Sequence, residues 1–195
     1  MLALTITALS LGFLVGLLRG GSLGRLAQLS LRLPWLAGIA WLIQVTLFLS
    51  PLAPALEPWA AALHLASVAL IGAVVLANRA APGLALFGIG LLLNAAVYAA
   101  NGGFMPVSAR ALVAVGNQAT LEAMRGDARV QKTFLMRPDT PLWFLGDVLP
   151  VPLVRKVYSP GDVVAAAGAF LLVAGGMGGR PHARHPGGWA LVMPL

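Results

Sequence analysis

Two aspartates pose the chemical question in this chain. Asp147 lies in Phe144-Leu145-Gly146-Asp147-Val148, an apolar setting for a carboxylate, and Asp162 follows Ser159-Pro160-Gly161 at the head of an apolar run. Two carboxylates facing each other at about 3–5 Å cannot both ionise easily and share a proton, so one activates water while the other protonates a leaving group. The plainer roles need no catalysis. Asp162 would sit as an anion at a helix N-terminus, and Asp147 would pair with Arg155 or Lys156. Gln44, His64 and Asn94 are the other polar groups of interest, each interrupting an apolar run, with Asn101 and Gly103 at the end of the run that carries Asn94.

A polar side chain turned toward lipid without a partner is costly, so these groups are expected to face inward. Gln44, His64, Asn94, Asn101, Asp147 and Asp162 are therefore expected around one pocket. In a purely structural role the two amides bridge neighbouring helices and His64 is a neutral interhelical donor. A Ser-His-Asp arrangement has little support, because Ser67 beside His64 is mid-run with no activating context, and Gly102-Gly103 is too short for a phosphate loop. The chain has no cysteine and three histidines, two of them near the C-terminus. Thiolate chemistry is excluded, and neither a metal centre nor a cofactor is expected.

The elements that must position these residues are apolar. Hydrophobic residues make up 59% of the chain and charged residues 10%, with mean hydropathy +0.87. Soluble domains carry roughly 25% charged residues, so the solvent for most of this chain is lipid. Long runs without alternation then select helices, whose backbone groups are satisfied internally. Spans are expected at about 2–18, 35–52, 59–77, 83–100 and 161–177, each long enough for a bilayer core at ~1.5 Å per residue.

The fold class expected is an all-α integral membrane protein, a bundle of about five transmembrane helices with an outer, partly helical cap. Residues 1–100 hold four spans and a short inner-leaflet amphipathic segment at 22–33, with Arg25 and Arg32 toward anionic headgroups. The cap covers 101–160, the fifth span 161–177, and a loose cytoplasmic tail 178–195. In the cap, Ser108 should cap a helix through Val115, and Asn117 or Thr120 a second through Arg125. Arg19, Arg25, Arg32, Arg79, Arg180 and Arg184 fall in the loops after spans one and three and in the tail, whereas all six acidic residues fall on the other side. That asymmetry predicts a multi-pass protein of the bacterial cytoplasmic membrane, N-terminus outside and C-terminus cytoplasmic. It also accounts for the net charge of +7 without a nucleic-acid partner.

The ordered set Leu17-Leu18-Arg19-Gly20-Gly21, Asn101-Gly102-Gly103-Phe104-Met105-Pro106-Val107-Ser108, Phe144-Leu145-Gly146-Asp147-Val148-Leu149-Pro150 and Ser159-Pro160-Gly161-Asp162-Val163 resembles the bacterial membrane family catalogued as domain of unknown function 5317. The resemblance covers about residues 2–173; it implies a polytopic bacterial membrane protein and no activity. A looser likeness is to lipoprotein signal peptidases, through Asn101-x-Gly103, Asp147 and Asp162 in that order. It implies an aspartyl pair with Asn101 orienting substrate. The chain departs from that family in having five spans rather than four and in the neighbours of both aspartates, Leu145-Gly146 and Pro160-Gly161.

The function expected is a non-enzymatic binding or accessory subunit of a membrane complex with an outward-facing polar pocket. Its partner would be a membrane protein or a lipid ligand, engaged by the cap through Trp143 and Phe144. The alternative is an intramembrane aspartyl-type hydrolase with Asp147 and Asp162 as its catalytic pair.

Overall fold

The computed structural model describes residues 2–125, 129–130 and 132–178; of the tail expected from 178 onward, all but Gly178 lies outside the described residues. Five long apolar helices carry the architecture: α1 (Leu2–Leu18), α3 (Pro34–Leu49), α5 (Ala60–Ala77), α6 (Leu84–Ala100) and α9 (Pro160–Gly178). Short helices α2 (Leu23–Ala27) and α4 (Ala53–Leu56) lie in the connections, and α7 (Ala109–Ala114) and α8 (Gln118–Ala123) lie in the cap. Through α4 and a 3-10 turn, α5 extends to Pro54–Ala77. This helix and α9 are long and apolar enough to cross a membrane, at 24 and 19 residues, while α1, α3 and α6 are apolar but shorter.

The principal contacts order the long helices as α1, α9, α6, α5, α3. They form a row in which α1 rests on α9 and α3 rests on α5, not a closed bundle around one axis. Residues at the outer faces of the row are large and apolar, among them Ile6, Leu42, Leu76 and Leu92. The tightest seam is α6 on α9, and its sequence cause is glycine. A Cβ at Gly90 would meet the backbone of Gly161 and Ala165, and one at Gly168 would meet the backbone of Phe87. Small residues let the two backbones approach to where dispersion contacts are dense.

The inner-leaflet segment expected at 22–33 is reduced to the five residues of α2. Ser22 accepts from the Arg25 N–H at 3.3 Å as its cap. Leu26 and Leu29 pack against the buried Gly176 of α9, where a Cβ would meet both. Nearby, Asn78 clamps the chain after α2 to the end of α5. Its Nδ2 donates to Arg32 O at 2.8 Å and Val74 O at 2.7 Å, and its Oδ1 accepts from Arg32 N at 2.6 Å.

The cap is helical where the sequence placed its caps. Ser108 Oγ accepts from Ala111 N at the start of α7 and Asn117 Oδ1 from Thr120 N at the start of α8, both at 3.3 Å. It also contains strands too short to have a readable period. Strand β1 (Met105–Val107) pairs in parallel with β2 (Thr133–Leu135), and β3 (Leu149–Val151) pairs antiparallel with β4 (Lys156–Tyr158). Val107, Leu112 and Met124 form the cap's own core, while Met105 packs with Val97 and Tyr98 to seat the cap on α6.

Candidate functional site

Two hydrogen-bonded groups face each other beneath the cap. On α3 and α5, the Gln44 amide Nε2 donates to His64 Nδ1 at 2.9 Å and to Ser67 Oγ, and Ser67 Oγ donates to His64 O at 2.6 Å. The His64 ring lies against Tyr98 of α6, centroids 4.2 Å apart, which joins this group to the next helix.

On α6 and α9, Asn94 Nδ2 donates to Asp162 Oδ1 at 2.7 Å while Asn94 Oδ1 accepts from Ser159 Oγ at 2.8 Å. Ser159 Oγ in turn accepts from Asp162 N at 3.0 Å, so Ser159 is the N-cap of α9. The arrangement follows from local sequence. Ser159-Pro160-Gly161-Asp162 places a hydroxyl at N-cap, proline at the first helical position and an acid in the first turn, where the helix dipole favours an anion. Gly161 is the position that admits Asn94, because a Cβ there would collide with the Asn94 amide. Asp162 is 7% exposed, and its partner Asn94 is as deeply buried.

The cap supplies a third group, and β1 organises it. On one edge of β1, Met105 N donates to Lys132 O at 2.8 Å; on the other, Asp147 N donates to Pro106 O at 2.8 Å and Ser108 N to Asp147 O at 3.0 Å. Lys132 and Asp147 therefore stand two strand spacings apart, ~10 Å across the sheet. Their side chains return to one cavity of about 110 Å³, lined by Gln44, His64, Val68, Leu91, Asn94, Tyr98, Met105, Lys132, Asp147, Val157 and Asp162. Lys132 Nζ stands 5.9 Å from the centroid of the Tyr98 ring.

The electrostatics of the cap residues follow from this enclosure. Burial, and after it the neighbouring Asp162 carboxylate, pushes the Asp147 carboxyl up to about 7, with Lys132 pulling the other way. Burial lowers the Lys132 ammonium from its ordinary value, opposed by Asp162 and Asp147. Two carboxylates and one ammonium give the fully ionised cavity a net charge of minus one. Protonation of Asp147 removes it.

Of the residues expected around the pocket, Gln44, His64, Asn94, Asp147 and Asp162 line it. Asn101 and Gly103 do not. Asn101 Nδ2 donates to Val97 O at 2.9 Å and Pro141 O at 3.0 Å, tying the end of α6 to the cap. Gly103 takes φ +89 in the turn against Ala61, where a Cβ would not fit. The expected partners of Asp147 are also elsewhere: Arg155 Nη2 donates to Gly116 O at 3.0 Å, and Lys156 is exposed on β4. The cation that shares the cavity with Asp147 is Lys132. Sequence reasoning missed it because Lys132 lies in a connection without period and arrives only through strand pairing; Tyr98 could have been found, one helical turn beyond Asn94. Trp143 and Phe144 lie on the surface of the cap, 55% and 53% exposed, with rings edge to face at 6.0 Å. Among the described residues, no group of three or more His, Cys, Asp or Glu is placed to hold a metal ion.

A family model described as "Family of unknown function (DUF5317)" matches residues 28–174. That span takes in α3 to α6, the cap and most of α9, and with them every residue that lines the cavity. No curated protein matches the chain, and no solved structure does.

Proposed function

The chain belongs to this family of unknown function, which brings no activity with it, and we propose that it is a multi-pass membrane protein acting as a binding or accessory subunit whose cavity holds a small polar ligand. In this reading α1, α3, α4 with α5, α6 and α9 are five spans, the N-terminus and the cap are outside, and the C-terminus is cytoplasmic. The apolar outer faces of the row support it, since Leu42, Leu76 and Leu92 have no place against water. The shorter helices reach ~24–26 Å and would be matched by local thinning or by side chains at their ends.

The observation that carries the binding function is the convergence of Gln44, His64, Asn94, Asp162, Lys132 and Asp147 on one cavity from four helices and the cap. Isolated interhelical bridges need no such focus. The volume of about 110 Å³ exceeds the roughly 10–15 Å³ that one water needs and falls short of the roughly 300–1,000 Å³ of drug-sized pockets. An ion, a few waters or a single ammonium-sized group fits within that volume. The net negative charge favours a cationic, hydrogen-bond-donating group.

Calorimetric titration of the reconstituted protein with sodium, potassium, methylammonium and ethanolamine tests this. Saturable binding by at least one probe, lost in Asp162→Asn and linked to proton release through Asp147, is expected. If no probe binds and the pocket variants match wild type in probe-dependent thermal shift, the binding reading is wrong.

One observation favours the hydrolase alternative: Asp147 and Asp162 line the same cavity, and burial, with the Asp162 carboxylate after it, raises the Asp147 carboxyl to about 7. An aspartyl-type mechanism would have one carboxylate activate water and the other protonate the leaving group, with Lys132 withdrawn or stabilising developing negative charge. It requires that Asp147→Asn and Asp162→Asn each abolish cleavage of a lipid-anchored peptide while the variants remain folded.

A further inference from the structure

The cap carries an apolar feature that neither its core nor the cavity uses. Residues 149–154, Leu-Pro-Val-Pro-Leu-Val, form strand β3 and the turn toward β4, and all six are exposed. Leu153 at the turn is 94% exposed, the most exposed large apolar side chain described in the protein. Arg155 and Lys156 follow at once, both exposed. Arg155 takes φ +51, a backbone conformation glycine fills more readily, and its guanidinium bonds Gly116 O, which fixes the turn against the α7–α8 junction.

We propose that the β3–β4 hairpin is an interfacial anchor that lies in the phospholipid headgroup layer, with Leu153 and Val154 toward the acyl chains and Arg155 and Lys156 on the phosphates. The inference rests on the membrane-spanning reading given above. Three observations on this chain argue for lipid over a protein partner. The hairpin runs into α9 through Tyr158, Ser159 and Pro160, so its root is at the end of a span. Its three-residue strands reach only about 10 Å from that root, comparable to the ~5–8 Å headgroup layer of each leaflet. Finally, an apolar tip followed directly by two cations is complementary to a layer that is apolar below and anionic above. Trp143 and Phe144, exposed where Asn101 ties the cap to α6, supply a second contact of the same kind.

The chain has no cysteine, so single cysteines can be introduced and labelled without background. Leu153→Cys reports the tip and Val154→Cys its neighbour; Ile89→Cys, on an exposed face of α6, reports the lipid core, and Asp139→Cys, exposed on the cap, reports water. Each variant is reconstituted in vesicles of phosphatidylethanolamine and phosphatidylglycerol and spin-labelled. Accessibility to oxygen, which partitions into lipid, is then compared with accessibility to a water-soluble nickel chelate.

The expected result places 153 and 154 between the two references, shielded several-fold from the nickel chelate relative to 139 and broadened by headgroup-labelled lipid. Replacing phosphatidylglycerol with phosphatidylcholine should weaken the shielding, and Lys156→Gln should reduce that dependence. If 89 is lipid-accessible but 153 and 154 match 139, the spans stand and the anchor does not. Shielding of 153 from both reagents would mean that protein covers the tip, which also overturns the proposal. If 89 itself is open to the chelate, the membrane-spanning reading fails, and the anchor with it.

Discussion

Asn94→Ala is the perturbation whose cost can be worked from contacts in the structure. The amide of Asn94 makes one hydrogen bond to a buried carboxylate, 2.7 Å to Asp162 Oδ1, and accepts one from a buried hydroxyl, 2.8 Å from Ser159 Oγ. Hydrogen bonds to charged groups contribute about 1.5–3 kcal/mol and neutral ones about 0.5–1.5 kcal/mol, which sums to roughly 2–4 kcal/mol. Interhelical hydrogen bonds in lipid have averaged about 0.6 kcal/mol each, because the unfolded chain in the membrane also finds partners. Asp162 lies in the first turn of α9 and is 7% exposed, so replacement partners are scarce and the expected loss is ~2 kcal/mol. Unfolding in mixed micelles of increasing denaturing detergent measures it. A double-mutant cycle with Asp162→Asn should return a coupling of about 1 kcal/mol or more, and Asn94→Asp, which cannot donate and adds a like charge, should cost more than Asn94→Ala. Asn101→Ala serves as reference, since its Nδ2 reaches only the backbone carbonyls of Val97 and Pro141. If Asn94→Ala costs under about 0.5 kcal/mol and the coupling is below about 0.3 kcal/mol, the bridge does not hold α6 to α9 and the reasoning fails.

Asp147 gives stability a pH dependence opposite to that of an ordinary salt-bridged carboxylate. The folded state keeps its proton to about 7 while the unfolded chain releases it near 3.8, so stability should fall as pH rises across that window and level off above it. The drop is at most ~4 kcal/mol, less where solvent reaches the group; Asp147→Asn should flatten the curve, and an unchanged slope in that variant would assign it to another group. Gly161→Ala puts a methyl where the Asn94 amide lies and should lower the melting temperature by several degrees, with a cost of about 1–3 kcal/mol. A melting curve matching wild type would show that α6 and α9 can separate at no cost. Asn78→Ala removes three bonds that join Arg32 and Val74. It should expose the chain around Arg32 to limited proteolysis while leaving probe binding in the cavity unchanged, and a loss of probe binding as well would mean the two ends of α5 are coupled.

The helices and part of the cavity were legible because long apolar runs without alternation leave few choices. A polar residue in an apolar run is expected to turn inward, and that argument selected Gln44, His64 and Asn94; with Asp162, a carboxylate at the head of the last run, they line the cavity. The capping residues Ser108 and Asn117 were legible for an equally local reason, a short side chain able to accept from the first free N–H groups. What sequence could not supply was non-local. Lys132 was missed because it enters the cavity only through the pairing of its segment with Met105; Asp147 was expected there, but the strand edge of Pro106 and Ser108 that carries it was not. Three-residue strands carry no period. The order of the helices was hidden too, since helices apolar all round have no stripe to name a neighbour; glycines sit at their close approaches, Gly90, Gly161 and Gly168 between α6 and α9, Gly12 between α1 and α9 and Gly88 between α6 and α5, but do not name the partner in advance.

That seam explains where the cavity lies. Glycine contacts weld α6 to α9, and α1 packs along α9, making one unit; α3 packs on α5, making another, and the two meet along α5 and α6. Each unit carries its own polar group, Gln44-His64-Ser67 in one and Ser159-Asn94-Asp162 in the other. The two groups face across the less extensive of the inner seams, with Tyr98 against His64 as their contact. A cap held to α6 by Met105 and Asn101 then closes the cavity from above with one cation and one carboxylate. Charge in the cavity is thus divided between a helix end fixed by glycine packing and a cap fixed by short strands. On the binding reading, a ligand held by Asp162 and Asp147 together would bridge the helices and the cap, so proton-linked binding and thermal stabilisation are expected to rise and fall together in the Asp147 and Asp162 variants.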